Sequence, residues 1–292
     1  DSIAWDSDPL YGWCNKNFKK DGSPYNVYSD GLKVFTTIDS RMQRYAEEAV
    51  YQHVARYLQP AFDKENKPKP SSPFSDKLTP KQIRAILNRS ITQSERWRTM
   101  KAAGYTPGEI NQAFRQKIEM TVFTYHGDID TLMSPLDSIR YYKEFLRSGF
   151  MSMDPKTGAV KAYVGGLDYP HFMYDMVSLG RRQVGSTIKP FLYSLAMENG
   201  FTPCDYAPNR QQTYIVAGKP WTPRNANHAR YGQMVPLKWG LAQSNNWISA
   251  YLMSKLNPSQ FVQLLHDYGI HNPDIHASMS LCLGPCEVSV SE

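Results

Sequence analysis

The sequence predicts an α+β fold, an antiparallel sheet packed with helices and interrupted by a mostly helical insertion. Three observations predict it. Residues 149–166, GFMSMDPKTGAVKAYVGG, alternate in polarity on both sides of a Pro-Lys-Thr-Gly turn, as a β-hairpin does. Residues 41–58, RMQRYAEEAVYQHVARYL, repeat apolar positions at helical spacing. Residues 60–133, between them, hold several short helical patterns separated by Pro, Ser and Gly.

Taken in order, residues 1–31 are rich in Asp, Gly, Ser, Asn and Tyr and read as loop with short strands. KVFTT, residues 33–37, predicts a strand, and Asp39 or Ser40 caps the helix after it. That helix sets Met42, Tyr45, Ala46, Ala49 and Val50 on one face, which predicts a core stripe. QPAFDKENKPKPSSPFSDKLTP, residues 59–80, predicts a surface loop or an ordered arm. Helical patterns return in residues 80–90, 95–104 and 107–117, and IEMTVFTYHGD alternates like a strand. SPLDSIRYYKEFLRSG predicts a helix with Ser134 as cap, Pro135 at its first position, Asp137 in its first turn and Gly149 at its end. In the hairpin, Pro155 suits the second turn position and Gly158 a positive φ, which leaves Lys156 and Thr157 at the tip. The chain thus divides into residues 1–32, the end of a linker; 33–59, a lead-in strand and helix; 60–133, the insertion; and 134–292, the N-terminal part of the main domain.

Composition excludes several functions. The 292 residues are 41% hydrophobic and 21% charged, ordinary values for a globular protein. The net charge of +6 suits an anionic surface or carboxylate-bearing substrates. No dense basic tract interleaves with aromatics, and ERWRTMK reads as a solvated helix face, so nucleic acid is not an expected partner. No run of eighteen apolar residues occurs, and DSIAWDSDPL lacks the features of a signal peptide. The abrupt start predicts an excised fragment whose anchor lies upstream. Cys282 and Cys286, in CLGPC, are compatible with a disulfide or with free thiols; Cys14 and Cys204 stand apart. His266, His271 and His276 recur every five residues, fit no single face, and read as surface residues, so no metal site is expected.

Chemistry concentrates in GRRQVGSTIKPFLYSLAMENG. Ser186 and Lys189 are three apart, which on a helix puts both on one face. A serine at a helix N-terminus also presents its own N–H and the positive dipole end to a developing oxyanion. A lysine whose pKa is lowered by burial can take the hydroxyl proton. Alone the pair is better read as a helix cap followed by a surface lysine. Ser244-Asn245-Asn246 adds a Ser-x-Asn at a polar break between PLKWGLAQ and WISAYLMSKL, although Ser244 or Asn245 can simply cap the second helix.

Several collinear segments together resemble the transpeptidase domain of class A, high-molecular-weight penicillin-binding proteins. VFTTIDSRMQRYAEEAV is similar to the family's T-T-I-D lead-in and Q-x-x-A-E helix. MDPKTGAVKAYVGG is similar to its D-P-x-T-G-x-V-x-A-x-V-G-G hairpin, and RRQVGSTIKPFLY to its R-Q-P-G-S-x-x-K-P stretch, with Val184 where Pro is usual. WTPRNANHARYGQMVPLKWGLAQSNN resembles its P-x-N and S-x-N region, and LGPCEVSV its L-G-x-x-E-V-T-P segment. Residues 60–133 carry none of these motifs.

The resemblance implies a penicillin-binding transpeptidase or serine β-lactamase-like fold, incomplete at its C-terminus. It implies that Ser186 attacks the carbonyl between two terminal D-alanines of a peptidoglycan stem peptide, with Lys189 accepting the proton. Ser244 would relay a proton to the leaving D-alanine and Asn246 would hold the donor peptide. A neighbouring stem peptide would then form the cross-link, and a β-lactam would acylate Ser186. No metal or organic cofactor is implied. Lipid-linked precursor, an upstream glycosyltransferase domain and a membrane anchor are the implied partners, at the outer, periplasmic face of the cytoplasmic membrane. The family's third motif, a K-[ST]-G after the Ser-x-Asn, does not occur after Asn246, so the chain is expected to be a fragment of low activity. Lys156-Thr157-Gly158 has those letters but precedes Ser186, and reads as a turn. A serine β-lactamase or β-lactam sensor, and a non-catalytic cell-wall scaffold, are the competing readings.

Overall fold

The computed structural model describes residues 10–292, so residues 1–9 of the expected linker lie outside the described residues. The chain divides into two units, one reaching Ile38 and one from Asp39 to Glu292. In the first, a short helix α1, Trp13–Lys16, precedes a turn that an isolated bridge from Phe18 to Pro24 closes. Lys19 Nζ ties that turn to Asp30 Oδ2 at 3.1 Å. Residues 33–37 form no strand, contrary to expectation; Val34 and Phe35 are exposed, and an extended run becomes a strand only when a neighbouring strand takes its hydrogen bonds.

The second unit opens with α2, Ser40–His53, capped by Asp39, whose carboxylate accepts from the N–H groups of Arg41 and Met42. The helix does not stop at residue 58. It passes through a π-helical stretch, Val54–Leu58, into α3, Gln59–Asn66, so the first half of the expected loop is helical. Pro60 follows the π-helical stretch, where the i→i−4 ladder is already interrupted. The buried stripe of α2 is also narrower than expected. Ala46 is buried and Val50 partly so, but Met42, Tyr45 and Ala49 are exposed. Gln43 explains the rotation, because its amide pairs with the backbone of Tyr163, accepting from N at 2.7 Å and donating to O at 2.9 Å.

Next come α4, Pro80–Gln93, α5, Glu95–Ala102, and α6, Pro107–Ala113. Thr79 and Thr106 start α4 and α6 with capping boxes closed by Gln82 and Glu109. An antiparallel pair, β1, Ile118–Val122, and β2, Ile129–Met133, leads to α7, Pro135–Lys143, which Ser134 caps. Ile91, Ile110 and Phe114 form a small core here, joined by Trp97, Met100, Leu136 and Ile139. α7 ends at Lys143, not at Gly149. Gly149 is needed for another reason: a Cβ there would lie 2.8 Å from the Met176 carbonyl carbon.

The hairpin is present as β3, Phe150–Met153, and β4, Val160–Val164, with a bulge at Ser152/Met153. Asp154 holds the turn by accepting from the N–H groups of Lys156 and Thr157, and Gly158 takes φ +72°. Lys156 is an exposed tip residue. Lys156→Ala is expected to leave the melting temperature unchanged, as exposed turn substitutions do; a melting temperature lowered by several degrees would contradict this.

The main core is built from α8, Lys189–Glu198, α9, Leu237–Ala242, α10, Asn246–Lys255, and α11, Pro258–Asp267. Ile188, Leu192, Ile248, Leu252, Phe261 and Leu265 are at most 1% exposed, which marks this as the best-packed part of the unit. Short pairs frame it: β5, Arg182–Gln183, with β10, Glu287–Val288; β6, Tyr206–Pro208, with β9, Met234–Pro236; and β7, Tyr214–Val216, with β8, Lys219–Trp221. All strand pairings among the described residues are antiparallel. The four cysteines are free thiols. His266 is half-buried, contrary to the surface reading, and its Nε2 is buried without a partner. Among the described residues no helix is long and apolar enough to cross a membrane.

Candidate active site

Two glycines set the backbone that carries Ser186. Gly185 takes φ +56° and Gly284 φ +65°, and the Gly185 N–H donates to the Gly284 carbonyl at 2.9 Å. A Cβ on Gly284 would lie 2.1 Å from the Gly185 carbonyl oxygen, so the two chains touch backbone to backbone. On one side, β5 pairs with β10. Val184 donates its N–H to the Cys286 carbonyl at 2.9 Å, a bond that proline at this position could not make. Ser186 follows in a 3₁₀ turn, Gly185–Ile188, and is exposed.

Lys189 begins α8 and is 1% exposed. Its Nζ donates to the Ser244 carbonyl at 2.5 Å, to Ser244 Oγ at 3.0 Å and to Asn246 Oδ1 at 2.7 Å. An ammonium has three donors, and these three acceptors use all of them. All three are neutral, so no carboxylate offsets the lost hydration. Burial therefore pulls the Lys189 pKa down from 10.5 to about 8. The buried Cys282 thiol is itself pushed up to about 12 by burial and stays neutral at physiological pH.

Ser244 sits in the break between α9 and α10 with φ +47°, a left-handed conformation unusual for a residue with a side chain. That twist turns its carbonyl toward Lys189. Asn245 caps α10, accepting from the N–H groups of Trp247 and Ile248 and donating to Asn209 Oδ1 at 2.9 Å. The capping reading and the site reading therefore hold side by side: Asn245 caps, while Ser244 and Asn246 face Lys189.

The structure thus brings Lys189, Ser244 and Asn246 into one hydrogen-bonded group. Ser186 lies one turn away, and no hydrogen bond joins its hydroxyl to Lys189 among the described residues. Sequence reasoning did not single out Asn225. Its Oδ1 accepts the Asn246 N–H at 2.8 Å, and the neighbouring Arg224 carbonyl accepts from Asn246 Nδ2 at 2.7 Å. With Nδ2 held there, the Asn246 oxygen must face Lys189. Pro223 completes the clasp by accepting from Trp247 Nε1 at 3.0 Å. The P-R-N letters were visible, but their contact with Asn246 spans 21 residues and needs the fold. Asn225→Ala should slow acylation about tenfold and lower stability by about 1 kcal/mol, the net worth of one hydrogen bond; stopped-flow acylation and thermal melts would measure both, and unchanged acylation would remove the clasp from the site.

Against known proteins, residues 69–146 match the family model of the penicillin-binding protein middle domain, and residues 148–279 that of the penicillin-binding protein transpeptidase domain. The region without recognisable motifs therefore has a counterpart after all. The chain is similar to penicillin-binding protein 1A of Neisseria flavescens, 27% identical over 93% of this chain and 36% of that protein. It is 33% identical to penicillin-binding protein 1A of Neisseria gonorrhoeae over 49% of this chain and 18% of that protein. A crystal structure of penicillin-binding protein 1A from Haemophilus influenzae shares the fold at a TM-score of 0.55 and 20% identity, covering 88% of this chain and 40% of that one. The chain spans about a third of the length of the curated relatives that it matches along most of its own.

Proposed function

The chain belongs to the penicillin-binding proteins, and from that premise we propose that it carries the nucleophile of a serine peptidoglycan D,D-transpeptidase. Ser186 Oγ attacks the carbonyl between the two terminal D-alanines of a stem peptide. A C–O bond forms and the C–N bond breaks; the hydroxyl proton passes to Lys189 and, through Ser244, to the departing D-alanine. An amine of a neighbouring stem peptide then displaces Ser186, forming the new amide and returning the proton. A β-lactam enters the same first step and stays as an acyl ester.

The single observation that carries this reading is the buried Lys189, held only by neutral acceptors one turn from Ser186. A lysine there is deprotonated at modest cost, which a general base requires. To act, its Nζ gives up one present acceptor and turns to Ser186 Oγ. Asn246, already fixed by Asn225 and Arg224, has one remaining amide hydrogen for a substrate carbonyl. The glycosyltransferase partner domain and action at the outer face of the cytoplasmic membrane are part of the same proposal.

The test is mass spectrometry of the whole protein after exposure to benzylpenicillin. One stable adduct on the Ser186 peptide is expected, and none in Ser186→Ala. Steady turnover of many equivalents would indicate a β-lactamase instead. The base works only when neutral, so acylation should rise with pH and level off above the Lys189 pKa of about 8. A rate that is flat from about pH 6 to 9 would remove Lys189 as the base.

A further inference from the structure

The helices between residues 80 and 143 enclose a cleft of about 400 Å³ that lies outside the Ser186 site. Two helices and the turn after α6 each bring one arginine and at least one apolar side chain to it. α4 supplies Arg84 with Leu87 and Ile91; the turn after α6 supplies Phe114 and Arg115; α7 supplies Leu136 and Arg140. Leu87, Ile91 and Phe114 are 6%, 5% and 2% exposed and make an apolar floor, while the arginines stand exposed around the rim.

The charge around this cleft is one-sided. Its lining contains no carboxylate, and α4, PKQIRAILNRSITQ, has no acidic residue along its length. The Arg84 and Arg115 guanidiniums make no hydrogen bond or ion pair with the described residues. Arg140 meets only Asp137, at 3.4 Å and in an exposed pair. Three like charges around one recess repel one another, and an anion between them removes that cost. Guanidinium forks match carboxylates two bonds at a time. Asn88 and Asn111 add neutral donors at the same rim.

We propose that this cleft binds an acidic peptide segment in which carboxylates flank an apolar side chain. The apolar side chain rests on Leu87, Ile91 and Phe114, and the carboxylates take the arginines. A membrane surface fits less well. Its binders project apolar side chains outward into the lipid, whereas here the apolar residues lie at the bottom of a recess.

The test uses a rhodamine-labelled peptide, Glu-Leu-Glu-Phe-Glu-Leu, and its Gln-for-Glu counterpart, read by fluorescence anisotropy on the whole protein. Saturable binding of the acidic peptide is expected, with the Gln peptide at least about tenfold weaker, as lost charge-assisted pairs imply. Arg84→Gln/Arg115→Gln/Arg140→Gln should weaken binding by about tenfold or more, and so should raising salt from about 0.05 to 0.5 M. A control triple, Arg89→Gln/Arg96→Gln/Arg98→Gln, should bind within about twofold of wild type. Circular dichroism checks that both triples are folded, and the exposed rim positions make this the expected result. No binding of the acidic peptide overturns the proposal, as does equal binding of the Gln peptide or an indifferent cleft triple. Binding only to phosphatidylglycerol vesicles, lost in the cleft triple, overturns it in favour of a lipid surface.

Discussion

Lys189→Met slows acylation of Ser186 by about a hundred- to ten-thousand-fold, the usual range for loss of a positioned general base. Methionine replaces the four-atom stem of lysine without its amine, so the buried volume at the start of α8 is largely kept. What disappears is the amine proposed to accept the Ser186 proton. Lys189→Arg gives a comparable loss although it keeps the charge, because a guanidinium does not deprotonate in this range. The pair of variants therefore separates a base from a structural cation. Second-order acylation rates with a fluorescent penicillin, on the whole protein, are the measurement. If either variant acylates within tenfold of wild type, Lys189 is not the base.

Gly284→Ala is expected to damage fold and site together. A Cβ there would lie 2.1 Å from the Gly185 carbonyl oxygen, and the backbone already has φ +65°. The left-handed conformation alone costs alanine about 1–2 kcal/mol. The clash adds to it, because the atom met is backbone and not the end of a flexible side chain. Relief requires the two segments to separate, which breaks the Gly185–Gly284 hydrogen bond and moves Ser186 next to it. A loss of about 2–4 kcal/mol and acylation slowed at least tenfold are expected, in line with other strained or overpacked positions. Denaturant melts and the same acylation assay test this. A variant with wild-type stability would show that the close approach is not kept in solution.

Local signals were the legible ones. The DPKTG turn, the Ser134 cap and the Pro135 start of α7 were readable because each depends on residues within four positions. Helix ends and buried faces were less so. α3 enters the Pro- and charge-rich stretch as far as Asn66 because Pro60 follows a π-helical stretch that already interrupts the i→i−4 ladder, which composition does not show. The stripe on α2 is rotated because Gln43, a polar residue, pairs with the backbone of Tyr163 120 residues away. Residues 33–37 had the alternation of a strand, but a strand also needs a partner.

By itself, the sequence determined which residues have the chemistry: a Ser-x-x-Lys at a helix start, a Ser-x-Asn at a break between helices, and the family to which both belong. It determined these because spacing along one helix and the order of motifs are properties of the chain alone. Only the tertiary structure decided how they act on one another. Lys189 faces Ser244 and Asn246, 55 and 57 residues further on, and its low pKa comes from burial among neutral acceptors. Asn225 and Gly284 gained their places in the same way, by contact across the fold. Burial, hydrogen-bond partners and close backbone approach depend on distance in space, and spacing along the chain does not encode that distance.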